Sequence, residues 1–115
     1  MLNRRHRFHG YGSLRRVYSR SQNVRGSLIS LRYASRGPGK PYRVAVVVGK
    51  KVHKSAVKRN RIRRRIYENV RNSTYVPAST DLIITVYNEQ VADIPASELE
   101  DQVNQLLQKV TQGAS

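Results

Sequence analysis

Ten of the chain's 22 Lys and Arg residues fall within residues 49–71, GKKVHKSAVKRNRIRRRIYENVR. They are Lys50, Lys51, Lys54, Lys58, Arg59, Arg61, Arg63, Arg64, Arg65 and Arg71, with Glu68 the single acid among them. A guanidinium is a planar fork of N–H donors that pairs bidentately with phosphate, whereas an ammonium is a mobile point charge. At this density such groups hold a polyanion. A basic run can also be a plain solvated face. A helix that needs only solubility, however, interleaves Glu with Lys four residues apart. That interleaving is missing, so phosphate contact is the better reading.

Groups that could break bonds are scarce. The histidines are His6, His9 and His53, and His6-x-x-His9 lacks the further ligands a metal site requires. Glu98, Glu100 and Asp101 gather where a helix is expected to begin, and the helix dipole accounts for them there. There is no cysteine, no glycine-rich phosphate loop and no serine in a nucleophile setting. No catalytic residue, no metal ligand and no protein-bound cofactor is expected.

Within the basic stretch, Ile62, Ile66 and Val70 recur every fourth residue, which is one narrow apolar stripe on a helix. Ser55 is placed to cap its start. At 100° per residue, Lys58, Arg61, Arg64 and Arg65 fall well off the stripe. Arg59 falls on its edge, where half-burial is expected. Residues 1–10 read as a basic arm without regular structure. Residues 11–20 read as a short helix with Leu14, Val17 and Tyr18 on one side. Residues 28–33 alternate as a strand, and 35–41, SRGPGKP, form a loop. Residues 42–48 are β-branched nearly throughout, as a central strand covered on both faces would be. A third strand is expected over 81–87. A last helix is expected over 97–110, opened by a Ser97-x-x-Glu100 capping box and fraying beyond 110. The order helix, strand, strand, helix, strand, helix predicts an α+β two-layer sandwich in one domain.

The chain has 115 residues, a net charge of +15 and a sequence pI of about 11.1. Residues 1–67 carry twenty Lys and Arg and no acid, while residues 68–115 carry two against all seven acids. The basic part meets the polyanion and the rest closes the core. Arg outnumbers Lys, and Tyr11, Tyr18, Tyr33 and Tyr42 lie in the basic part, where unpaired bases could stack or where the rings could simply be half-buried. RNA is the favoured partner. No apolar run approaches the ~18 residues of a membrane span and no secretory signal is evident, so a cytoplasmic protein is expected.

Lys50-Lys51, Ala56-Val57 and Arg59-Asn60-Arg61 followed by Ile62-Arg63-Arg64 closely resemble the signature of the bacterial ribonuclease P protein family. The resemblance extends to Val17-Tyr18, Val24-Arg25-Gly26 and the Asp-led strand at Asp81, from about His6 to Val110. It implies a small α/β sandwich like the second domain of ribosomal protein S5, with a left-handed crossover through the basic helix, against the usual hand. It implies a subunit, monomeric in the holoenzyme, that binds a catalytic RNA and the single-stranded 5′ leader of precursor tRNA. In that family the RNA and its Mg2+ carry the hydrolysis. The implied RNA contacts are Lys50, Lys51, Lys54, Lys58, Arg59, Asn60, Arg61, Arg63, Arg64 and Arg65. The implied leader cleft, between the first helix and the sheet, holds Leu14, Tyr18, Arg32 and Tyr67. The sequence departs from the family pattern at Leu14, where an aromatic is usual, at Tyr67 and Tyr87, where Arg is common, and at His53, where Gly is common. A basic structural protein of the ribosome or another ribonucleoprotein would share the charge but not the Arg-Asn-Arg spacing. A stand-alone nuclease would need metal-holding carboxylates in residues 1–67, which have none.

Overall fold

The computed structural model describes residues 6–8 and 11–113, with the side chains of 11–13 and 111–113 left aside. The elements are α1 (Tyr11–Arg20), β1 (Gln22–Arg25), β2 (Ile29–Ser35), β3 (Arg43–Val48), α2 (Ala56–Asn72), β4 (Thr80–Val86), a 3-10 turn (Glu89–Ala92) and α3 (Ala96–Gly113). The strands form one mixed sheet in the order β1-β2-β4-β3, with β3 and β4 parallel and the other pairs antiparallel. The fold is therefore α+β, as expected, with β1 added to the expected order. β1 has four residues and a largely exposed pattern, so it carries no alternating apolar signal of its own. Pairing with β2 makes it a strand.

Alternation along the strands sorts the sheet into two faces. Ile29, Leu31, Val44, Val46, Val48, Leu82, Ile84 and Val86 point to one face, against Ile62, Ile66 and Val70 of α2 and Leu99, Val103, Leu106, Leu107 and Val110 of α3. Ile62, Ile66 and Val70 are wholly buried, so the stripe read from the sequence is the seam of the sandwich. Burial of such side chains contributes about 1.5–3 kcal/mol each. On the opposite face α1 lays Val17 over Ala34 and Ile83, with Phe8, Leu14 and Val47 around them. The two-layer sandwich thus gains a short helix across part of its far side.

Three expectations change. β3 lies at the end of the sheet and β4 at its interior; β3 reads as central because Arg7 bridges to Val44 along its outer edge and both faces are packed. The His6 ring stacks on Tyr42 at 3.9 Å, and its Nδ1 bonds the Tyr42 carbonyl at 2.9 Å. Those arm residues are thus docked, while the remainder of the arm expected over 1–10 lies outside the described residues. α3 begins at Ala96, with the Pro95 carbonyl accepting from Glu98 N and Leu99 N at 3.1 Å each. Ser97 therefore sits inside the first turn rather than capping it. The backbone is helical to Gly113, and the last two residues of the fraying end expected over 111–115 lie outside the described residues.

One buried charge ties the far face together. Asp81 is wholly buried and takes a bidentate pair from Arg43, Nε at 2.7 Å and Nη2 at 3.0 Å. Arg20, ending α1, and Arg36, following β2, each reach the same carboxylate at 3.5 Å. The Arg43 guanidinium also lies 4.6 Å over the Phe8 ring.

Candidate nucleic-acid interface

α2 starts as its sequence dictates: Ser55 is extended (φ −73°, ψ 123°) and its Oγ accepts from Lys58 N at 3.3 Å. No acid occupies the first turn. The positive end of the helix dipole is thus reinforced by Lys50, Lys51, Lys54 and Lys58 rather than offset, and an anion placed there relieves the repulsion.

The cations of α2 divide by what their side chains touch. Lys50, Lys51, Lys54, Arg61 and Arg64 are exposed and have no side-chain partner among the described residues; Lys58 is half-buried and likewise without one. Arg63 donates from Nη1 to Asn60 Oδ1, so Asn60 aims a neighbouring fork and keeps its own amide N–H groups outward. Arg59 is half-buried, as its place on the stripe edge predicts, and its Nη1 donates to the carbonyls of His53 and Lys54 at 2.9 Å each. Arg65 differs from expectation. It is half-buried, with Nη1 donating to Val91 O at 2.6 Å and Nη2 to Ile94 O at 2.5 Å. The carbonyls it meets lie 26 and 29 residues away in sequence, beyond any helical wheel.

A second polar surface lies on the far side of the sheet, beside α1. Arg32 extends its guanidinium over the Tyr18 ring at 5.4 Å, and its Nη1 donates to Ser21 Oγ at 3.3 Å. Tyr18 remains 40% exposed, enough ring for a base to stack, while half-buried Leu14 packs into the small core beneath α1. Leu14, Tyr18 and Arg32 are therefore brought together. Tyr67 is not among them: it lies on α2, its ring packs against the main core, and its hydroxyl accepts from Val46 N at 3.3 Å. The family resemblance implied a cleft residue, but the sheet stands between Tyr67 and that cleft.

The surface also recruits two residues that were not among the expected cleft residues. Arg25 pairs across strands with Ser30, and its guanidinium stands 5.4 Å over the Tyr87 ring. The Tyr87 hydroxyl meets Ser30 Oγ at 2.5 Å, and the ring is 47% exposed. A row of two aromatic faces and two guanidinium groups results, the combination that stacks bases and pairs phosphates of a single strand. Recognising β1 as a strand would have exposed it, because Arg25 then shares a face with Ser30.

No group of three His, Cys, Asp or Glu side chains converges among the described residues. No helix among them is long and apolar enough to cross a membrane.

The family model for Ribonuclease P matches residues 2–111. A curated ribonuclease P protein component from one strain of Synechococcus is 34% identical over 114 residues, covering 95% of this chain and 84% of that one. Another Synechococcus strain has one that is 36% identical over 85 residues, covering 65% of this chain and 67% of that one. Among solved structures, the RNase P protein of Staphylococcus aureus superimposes with a TM-score of 0.77 at 20% identity, covering 93% of this chain and 95% of that one. The RNase P protein of Thermotoga maritima does so with a TM-score of 0.78 at 17% identity, covering 90% and 96%. At those identities the structures speak for the fold.

Proposed function

This chain belongs to the ribonuclease P protein family, and from that premise we propose that it is the protein subunit of a ribonuclease P ribonucleoprotein. It binds the catalytic RNA through α2 and the preceding loop, and holds the 5′ leader of precursor tRNA in the cleft beside α1. The observation that carries this reading is the row of cations without partners among the described residues, Lys50, Lys51, Lys54, Lys58, Arg61 and Arg64, running from the loop along one rigid helix. Tyr18 and Arg32, with Tyr87 and Arg25 beside them, support leader binding on the far face.

Cleavage falls to the RNA in this reading. A surface of Lys and Arg repels a divalent cation, and Asp81, buried in the sheet, is occupied by Arg43. Mg2+ belongs with the RNA phosphates, and this chain's task is to neutralise them and to orient the leader. The protein acts as a monomer in the cytoplasm.

The test is a cleavage assay with nuclease-free protein, a bacterial ribonuclease P RNA and a precursor tRNA. The protein alone is expected to leave the precursor intact. Protein and RNA together should cut at the mature 5′ end at low magnesium. Affinity for the RNA should fall with salt by roughly 0.7–0.9 log units per phosphate per decade. Cleavage by the protein alone, or a flat salt dependence, would refute the proposal.

A further inference from the structure

Arg59 and Arg65 look like part of the cationic array in sequence, but the structure turns two of the five N–H donors of each inward, onto backbone carbonyls of the protein itself. Both hydrogens of Arg59 Nη1 are taken by the His53 and Lys54 carbonyls. These carbonyls belong to the irregular crossover between β3 and α2, where no ladder can satisfy them. The loop's remaining ties are sparse: Val52 N to Gly49 O at 3.0 Å, and Ser55 N to His53 Nδ1 at 3.0 Å. Farther along the helix, Arg65 grips the turn after β4. That turn carries its own bonds from Asp93 N and Ile94 N to Gln90 O at 2.9 Å each. Its Glu89 in turn lines the same groove as Lys50, Lys51, Val52, His53 and Lys54. Charge-assisted bonds from a planar fork to two carbonyls fix both position and orientation of the segment they hold.

We propose that Arg59 and Arg65 are positioning residues rather than RNA contacts. They hold the crossover loop and the 89–94 turn against α2, so that Lys50, Lys51 and Lys54 meet RNA phosphates in a fixed array with Lys58, Arg61 and Arg64. The inference rests on the RNA-binding reading above and divides its cations into those that touch RNA and those that arrange them. A freed loop must be ordered again on binding. Loss of the Arg59 clamp therefore weakens affinity about five- to thirty-fold, the cost of fixing roughly one backbone residue. It leaves the number of phosphates met unchanged.

The experiment compares Arg59→Ala, Arg65→Ala and Arg61→Ala for binding to a bacterial ribonuclease P RNA across a salt series, well below each melting temperature. Arg61→Ala should lower the salt slope by roughly 0.7–0.9. Arg59→Ala and Arg65→Ala should weaken binding with the slope unchanged, and Arg59→Ala should speed amide exchange across residues 50–55. A slope drop for Arg59→Ala equal to that of Arg61→Ala, with exchange unaltered, overturns the proposal. The wild-type protein gives an answer even where a variant fails to fold. Phenylglyoxal should modify Arg61 and Arg64 readily when free and poorly when RNA is bound, but Arg59 and Arg65 slowly in both states. Fast modification of Arg59 that RNA blocks overturns the proposal. If the wild type binds no RNA, the functional reading fails by itself, while slow modification of Arg59 and Arg65 in the free protein still reports the clamps.

Discussion

Replacing Asp81 by Asn keeps the shape of the side chain and removes its charge, which makes it a sharp test of how the far face of the sheet is held. Asp81 is wholly buried, and three guanidinium groups from α1, the loop after β2 and β3 converge on it. An Asn oxygen can still accept from Arg43, but its amide N–H groups then face further N–H donors. The cations are left uncompensated in a chain already carrying +15. Breaking a buried pair from one side costs about 3–5 kcal/mol. Arg20 is 56% exposed and adds little to that figure. A domain of this size melts roughly 4 °C earlier per kcal/mol, so Asp81→Asn should melt about 12–20 °C below wild type. The assay is thermal and urea unfolding without RNA, with Arg20→Ala as a control expected to lose less than about 1 kcal/mol. If Asp81→Asn stays within about 4 °C of wild type, the carboxylate is not the anchor of this face.

Four further outcomes are expected. Ser55→Ala removes the α2 cap and should cost about 1 kcal/mol in urea unfolding. Tyr67→Phe loses the hydroxyl that accepts from Val46 N and should cost about 0.5–1.5 kcal/mol without altering leader affinity. Tyr18→Ala should instead weaken leader binding by about 1–3 kcal/mol at little change in melting temperature, as measured with a fluorescent single-stranded leader. Gly26→Ala should destabilise by about 1–3 kcal/mol in thermal unfolding, because an added Cβ would stand 2.7 Å from the Ile29 carbonyl oxygen.

Local patterns alone were enough for much of this protein. The every-fourth-residue stripe of Ile62, Ile66 and Val70 marked both the helix and the face it buries, because helical geometry depends only on spacing along the chain. Ser55 announced its cap, and the segregation of twenty cations ahead of the first acid announced a strongly cationic surface. α1 and the three longer strands were likewise legible from periodicity to within two residues at each end. What the spacing could not reveal is which groups meet across long stretches of chain. β1 exists because β2 pairs with it, and its four residues hold no signal by themselves. Tyr67 and Tyr18 are both tyrosines on basic helices, yet the sheet separates them, and only topology decides which one borders the cleft. Arg65 and Arg64 are adjacent identical residues. One is spent on carbonyls brought to it by the turn after β4, and the other is left facing solvent, a difference created by packing rather than by residue type.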